Sequence, residues 1–430
     1  MEPLDEFALE IYFQKHEFSA THLMAQSDAE TLSMKDLLSL ADSECQQLWD
    51  ELKLGYTEAW GSPILRSEIS KVFYSGAAIA LGADHIRCFA GAEEAIYAFF
   101  RALVQPGDEV IIFTPAYQSL ISVAKAQGAK VVCIDLEIDR GCLEGEAPRW
   151  RFNVEKVRAA VKPSKTKCVV LNCPHNPTGA MLTLEEQRSL IDICEANNLY
   201  LFSDEVYRCM ELDEDHRLPP ACTLYPRAIS LGVLSKASGL AGLRIGWIAT
   251  ADERVLKIVA DYKHYLSICN SAPSEVLALI ALRNWSSLIS RNREIASSNL
   301  RLLTRTLLAK HSPRLLEWVD PRGGCVGFMR WVGPGKLEKV ADDMLKRGIL
   351  LLPGTYFPGT EHDGSTANTA QTVQEQEQEQ EQEQEGTSVG NPANLIDFSQ
   401  YFRFGFGRSS FEQGLRAFDA ALDELFGGGA

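Results

Sequence analysis

From residue 86 to residue 250, short apolar runs alternate with amphipathic stretches of helical period. Residues 86–90, 109–113, 130–136, 167–171, 199–202 and 228–233 read as strands, because each is a short apolar run bounded by turn residues. Between them, residues 91–104, 152–161 and 185–197 read as helices. Strand and helix in strict alternation predict an α/β fold, a mostly parallel sheet with helices on both faces. In such a sheet, ligands gather at the carboxyl ends of the strands.

The stretch with the most chemistry follows the run 228–233. It reads Leu234-Ser235-Lys236-Ala237-Ser238-Gly239-Leu240-Ala241-Gly242-Leu243-Arg244, and a second apolar run, Ile245-Gly246-Trp247-Ile248-Ala249, follows at once. A lysine between two buried strands is unusual, because an ammonium is costly to desolvate. Such a lysine either loses its proton more readily or becomes covalently bound, and a Schiff-base lysine needs that setting. The competing explanation is a surface lysine in a Gly/Ser loop. Three other stretches decide between them. Asn172-Cys173-Pro174-His175-Asn176-Pro177-Thr178-Gly179 follows the run 167–171. Ser203-Asp204-Glu205-Val206-Tyr207 follows the run 199–202, and Tyr401-Phe402-Arg403-Phe404-Gly405-Phe406-Gly407-Arg408 lies near the C-terminus.

In order, spacing and identity these four stretches resemble the class I/II aminotransferase superfamily of fold type I pyridoxal-phosphate-dependent enzymes. The resemblance runs from about Tyr56 to the end of the chain. It implies the fold of those enzymes, a mostly parallel sheet plus a smaller α/β domain, and pyridoxal 5'-phosphate as cofactor. It also implies that Lys236 holds the cofactor as an imine and then acts as the base at the substrate α-carbon. Asp204 would pair with the pyridine nitrogen, Tyr207 and Asn176 with the ring hydroxyl oxygen, and Tyr117 would stack on the ring. Ser235, Arg244 and the helix start at Ala92 and Glu93 would hold the phosphate, as a helix N-terminus suits an anion. Arg403 would clamp the substrate α-carboxylate beside Asn176, with Arg408 a nearby alternative. Tyr56 would reach the phosphate in the partner subunit, which implies a homodimer with shared active sites. No metal is implied.

The chain departs from the family pattern in three places. Relatives often have a hydroxyl where this chain has Ala92 and Glu93, so the Glu93 side chain is expected to point away and leave only its N–H to the phosphate. Val233 stands where a serine is frequent, which removes one phosphate hydrogen bond. Gln26-Ser27-Asp28-Ala29-Glu30 replaces a glycine/proline stretch on the substrate side, so Asp28 or Glu30 either faces a cationic part of the substrate or is a solvated loop carboxylate.

A chain of 430 residues can bury a substantial core in about two domains. The expected division is an N-terminal arm with part of a small domain (1–52), a large cofactor-binding domain (53–286), and a small C-terminal domain (287–430) carrying a disordered insert near 360–397. Strict Gln-Glu alternation from Gln374 to Glu385 defines that insert. It reads as a surface loop without catalytic role, or else as a helix that docks a partner. In the N-terminal region Ser33 is a helix-cap candidate, and Pro63 sits where a helix tolerates proline. A net charge of −16 disfavours nucleic acid or an anionic membrane as partner. Eleven scattered cysteines without a CxxC suggest reduced thiols, and Cys173 reads as a packing residue. The acidic N-terminus lacks the apolar core of a signal peptide, and no run is long enough to span a bilayer, so a cytoplasmic location is expected.

The expected reaction is transamination between an L-amino acid and a 2-oxo acid. The alternative is a lyase or cyclase, as in carbon–sulfur lyases, aminocyclopropane carboxylate synthases and the enzymes that make capreomycidine. Some members of the fold are regulatory domains fused to DNA-binding modules, but no helix-turn-helix segment or basic patch precedes this chain, and the retained Lys236 points to chemistry.

Overall fold

The computed structural model describes residues 3–141, 148–357 and 396–427. The chain opens with α1 (Ala8–His16), whose buried Leu9 and Phe13 lie four residues apart on one face. A two-residue strand, β1 (His22–Leu23), follows. Helix α2 (Met34–Leu38) starts at Ser33, whose hydroxyl accepts the Asp36 N–H at 3.1 Å, so the expected cap is present. After α3 (Ser43–Asp50), α4 (Pro63–Phe73) has Pro63 in its first turn, where its missing N–H costs nothing.

The alternating region then builds the large sheet. Its first strands are β2 (Ile86–Phe89), β3 (Glu109–Thr114) and β4 (Lys130–Asp135), separated by α5 (Ala92–Leu103) and α6 (Gln118–Ala126). A small antiparallel pair, β5 (Glu137–Asp139) with β6 (Arg149–Arg151), stands apart. The sheet continues with β7 (Thr166–Asn172), β8 (Tyr200–Asp204), β9 (Ala228–Val233) and β10 (Gly246–Ala249). Strand order is β2-β10-β9-β8-β7-β3-β4. All pairings are parallel except the two made by β10, which turns back beside β9.

Both faces of this sheet are covered, and individual strands show why. On β3, Val110 and Ile112 enter one apolar core while Ile111 and Phe113 enter the other. On β7, Cys168 and Val170 divide from Val169 and Leu171 in the same way. On one side α5 contributes Phe99, whose ring centroid is 4.4 Å from that of Phe202. On the other side α8 (Leu184–Ala196), reached after α7 (Val154–Ala160), packs Leu190, Ile191 and Ile193. A reciprocal cap starts α8: Thr183 Oγ accepts the Glu186 N–H, and Glu186 accepts the Thr183 N–H.

Helices α9 (Glu253–Lys263), α10 (Ala272–Arg283) and α11 (Trp285–Leu303) lead to a second, antiparallel sheet. It comprises β11 (Leu316–Glu317), β12 (Val326–Trp331), β14 (Leu352–Pro353) and β15 (Tyr401–Gly405), in the order β11-β12-β15-β14. Between β12 and β15 the chain forms two short strands. β13 (Ile349–Leu350) pairs with β1, while β14 pairs with β15, so neighbouring residues serve different sheets. The closing helix spans Phe411–Phe426. The Gln-Glu repeat falls outside the described residues.

One short segment ties the two sheets together. Residues 24–30 cross from β1 toward the lysine loop. Met24 N–H donates to the Leu350 carbonyl, Gly405 N–H donates to the Met24 carbonyl, and Ala29 N–H donates to the Lys236 carbonyl. The approach at Gly405 is so close that a Cβ there would lie 1.9 Å from the Gln26 carbonyl oxygen. Gly405→Ala is therefore expected to destabilise the fold by about 1–3 kcal/mol through overpacking. The measurement is the thermal unfolding midpoint, and a midpoint equal to the parent's would show that the crossing segment does not rest on β15.

Candidate active site

A cavity of about 560 Å³ opens at the carboxyl ends of the parallel strands. Three strand ends deliver polar groups into it. Asn172 ends β7 and Asn176 follows it, Asp204 ends β8, and Ser235 and Lys236 follow β9. Helix α1, the crossing segment and Arg403 of β15 complete the walls.

The Lys236 loop is fixed at both ends. Leu234 N–H donates to the Ile245 carbonyl, which closes the β9–β10 turn. Gly239 has φ +69°, and a Cβ there would lie 2.4 Å from the Glu30 carbonyl oxygen, so only glycine lets the loop lie against the crossing segment. Lys236 Nζ donates to Ser27 Oγ at 3.0 Å. Burial lowers the pKa of this amine below the usual lysine range.

Asp204 lies across the cavity and is 5% exposed. One carboxylate oxygen accepts the Val206 N–H at 3.2 Å. It makes no ion pair among the described residues, and burial raises its pKa to about 7. Its backbone carbonyl is held by Cys173 N–H and by Asn172 Nδ2. Tyr207 is buried, and its hydroxyl donates to the Ser27 carbonyl at 2.7 Å. Asn176 Oδ1 accepts from Arg403 Nη1 at 3.1 Å, and Arg403 Nε donates to the Ala25 carbonyl at 2.9 Å. Arg403 is 2% exposed and forms no ion pair with a carboxylate among the described residues. A guanidinium cannot shed its charge, so this one is a ready seat for a small anion.

A second anion seat lies at the start of α5. Gly91, at φ +90°, packs under the Arg244 guanidinium; a Cβ at Gly91 would lie 2.4 Å from Arg244 Nη2. At Gly246 a Cβ would lie 2.9 Å from the Ala92 nitrogen. Small residues thus bring arginine and unpaired helix N–H groups together beside Ser235, where an anion is favoured. Val233 lines this corner and offers no hydroxyl.

Glu93 stands in the wall between this cavity and a second one of about 360 Å³ against α6, where Ser119 is the hydroxyl beside its carboxyl. Burial raises its pKa to about 7. Tyr117 lines the cavity as expected, its hydroxyl donating to Glu10 at 2.9 Å and its ring 5.4 Å from that of Phe7. Tyr56 does not join the cavity and is 88% exposed. Arg408 pairs with Asp28 and does not line the cavity, whereas Arg403 does. Asp28 lines the cavity, while Glu30 lies outside it and accepts the Ser409 N–H. Cys173 is buried, with its thiol pKa raised to about 12, as suits a packing residue.

Three cavity residues were not singled out from the sequence: Ser27, Glu10 and Glu17. Ser27 touches Lys236, Tyr207 and Cys325. Those partners are 180 or more residues away in the chain, so no local pattern announces them.

Comparison with known proteins agrees with this geometry. The sequence matches the family described as aminotransferase class I and II over residues 33–366. Capreomycidine synthase of Streptomyces vinaceus is 30% identical across 83% of this chain and 86% of its own. A PLP-dependent aminotransferase from Streptococcus suis superposes with a TM-score of 0.79 at 26% identity, covering 98% of this chain and 99% of its own. A PLP-dependent cyclase shares the fold, with a TM-score of 0.77 at 23% identity over 99% of both chains.

The buried carboxyl of Asp204 has a consequence for stability. Below its ordinary value of 3.8 it is protonated in folded and unfolded chains alike. Between there and about 7 only the folded chain keeps the proton, so stability falls as the pH rises and levels off above about 7. Asparagine does not titrate. After dialysis to remove small molecules, Asp204→Asn should melt close to the parent at about pH 4 and above it at about pH 8. The same gap at both pH values would show that the carboxyl is not buried without a cation.

Proposed function

This chain belongs to the class I and II aminotransferases, and from that premise we propose that it transfers the amino group of an L-amino acid to a 2-oxo acid. The cofactor of such enzymes is pyridoxal phosphate. The observation that carries the proposal is a buried amine and a buried, unpaired carboxylate facing one cavity whose far wall holds an unpaired arginine.

The donor set fits the cofactor group by group. Asp204 lacks a cation that a protonated ring nitrogen would supply. The start of α5, Arg244 and Ser235 suit the phosphate, and Tyr117 offers a flat wall. When bound, pyridoxal phosphate supplies the electron sink for a carbanion at the substrate α-carbon. On this reading Lys236 anchors it, and its amine then carries the proton removed from that carbon. Burial favours the neutral amine that both tasks need. Asp204 keeps the ring nitrogen protonated. Arg403 binds the substrate carboxylate by two parallel hydrogen bonds and so fixes which bond at the α-carbon faces Lys236. Asn176, whose oxygen accepts from Arg403, and Tyr207 would bond the ring oxygen.

A second reading, a cyclase or lyase on the same cofactor, is favoured by the similarity to capreomycidine synthase and by the Gln26–Glu30 segment that departs from the family pattern. Acceptor dependence separates the two. Incubated with a panel of L-amino acids, a transaminase turns over only when a 2-oxo acid is added and yields one 2-oxo product per amino group moved. Sustained turnover without an acceptor, releasing ammonia or a ring-closed product, would replace transamination with the second reading.

We extend the proposal to a homodimer in which the exposed Tyr56 reaches the partner's phosphate; the neighbouring Leu54 and Trp60 are exposed apolar residues as well. A cytoplasmic location is supported by ten described cysteines that are all free. No helix among the described residues is long and apolar enough to cross a membrane.

Borohydride reduction of the protein with bound pyridoxal phosphate should trap the cofactor on the peptide containing Lys236, as read by mass spectrometry. Lys236→Ala should trap none. Trapping on another lysine in that variant would move the anchor elsewhere.

A further inference from the structure

Two carboxylates, Glu10 on α1 and Glu17 at its C-cap, face the cavity and have no described function. Glu10, Phe13 and Glu17 are spaced three and four residues apart, so they share one side of the helix, and all three line the cavity. Glu10 sits exposed at the mouth and accepts the Tyr117 hydroxyl. Glu17 is half-buried and is approached by the Gln26 amide at 3.5 Å. Neither forms an ion pair among the described residues, and each retains acceptor capacity.

Charge balance shows why they matter. On the reading proposed above, Lys236 gives up its charge to the covalent link, Arg244 faces phosphate and Arg403 faces the substrate carboxylate. Asp204 faces the ring nitrogen, and Asp28 is already paired with Arg408. Every cation of the cavity then has an anion, while Glu10 and Glu17 have no cation; the remaining carboxyl of the wall, Glu93, is pushed toward its neutral form by burial. A substrate with an acidic side chain would meet like charge there, and a neutral one would leave both carboxylates uncompensated.

We propose that the substrate is an amino acid whose side chain ends in a cation, a guanidinium or an ammonium, received by Glu10 and Glu17. Phe7 and Phe13 flank the same wall and suit the alkyl stem of such a side chain. This assignment rests on the cavity being the amino-acid site of a pyridoxal phosphate enzyme, and the test separates the two claims.

The holoenzyme is titrated with L-amino acids while the cofactor spectrum is followed. Arginine against citrulline and lysine against norleucine are pairs of similar length that differ in charge. Arginine and lysine should half-saturate at concentrations at least tenfold below their neutral partners, with glutamate the weakest. In the Glu10→Gln, Glu17→Gln double variant the arginine-to-citrulline ratio should fall at least fivefold. Equal half-saturation by citrulline and arginine in the parent would overturn the proposal without recourse to any variant. So would a ratio that persists in the folded double variant. If the cofactor is trapped on Lys236 but no amino acid alters its spectrum, the cavity is not an amino-acid site, and the function proposed above falls together with this inference.

Discussion

A carboxylate without a cation and an amine without a carboxylate face the same cavity, and neither is placed there by chance of folding. Burial disfavours the charged form of each, raising the pKa of Asp204 and lowering that of Lys236. Direct pairing would relieve both, yet they remain apart because each is fixed to its own strand. Asp204 ends β8, held by Cys173 N–H and Asn172 on β7, and Lys236 sits in a turn closed by the antiparallel return of β10. The sheet therefore maintains an electrostatic cost at its carboxyl edge. A ligand carrying a protonated ring nitrogen and an electrophilic carbon would remove it.

The second organising element is the crossing segment 24–30. It touches the lysine loop through Ala29, β15 through Met24, and three cavity side chains through Ala25 and Ser27. Three close approaches at glycines seat it: Gly239 against Glu30, Gly405 against Gln26, and Gly407 against Asp28. Polar groups that would otherwise be buried without partners, the Tyr207 hydroxyl and the Arg403 Nε–H among them, find acceptors on its backbone. A short loop thus satisfies residues drawn from both sheets and fixes the distance between Lys236 and Arg403.

What could be read in the sequence follows from what is local. The strands of the large sheet, its edge strand β4 apart, are runs buried on both faces, the cap at Ser33 and the proline at the start of α4 act within one helical turn, and the lysine loop is flanked by its own two strands. The residues that escaped depend on distant neighbours. Ser27 is a polar residue in a polar loop until the fold brings Tyr207 and Lys236 to it. Glu93 is legible as a carboxylate that must turn from the phosphate corner, but only the packing of α6 makes it a wall between two cavities. The run at 349–352 announces a strand but not that its halves serve different sheets. Glu10 and Glu17 are charged residues of an N-terminal helix and its cap, and nothing local distinguishes one that borders a cavity from one that borders bulk water.

These differences divide the site into two parts with different origins. The groups suited to bond-making, Lys236, Asp204 and Asn176, stand at the ends of buried parallel strands, where position is held by ladders of backbone hydrogen bonds. The groups suited to choosing a substrate, Glu10, Glu17 and the crossing segment, come from the first thirty residues, which contribute no strand to the large sheet. The two glutamates can change without touching the ladders that hold the first set, since α1 leans on the cavity without sharing a ladder with it, whereas the crossing segment is bonded to the lysine loop. A fold built this way keeps its chemistry while its preference among side chains drifts. It follows that substrate class is better sought in the charge of α1 than in the motifs by which the family is recognised.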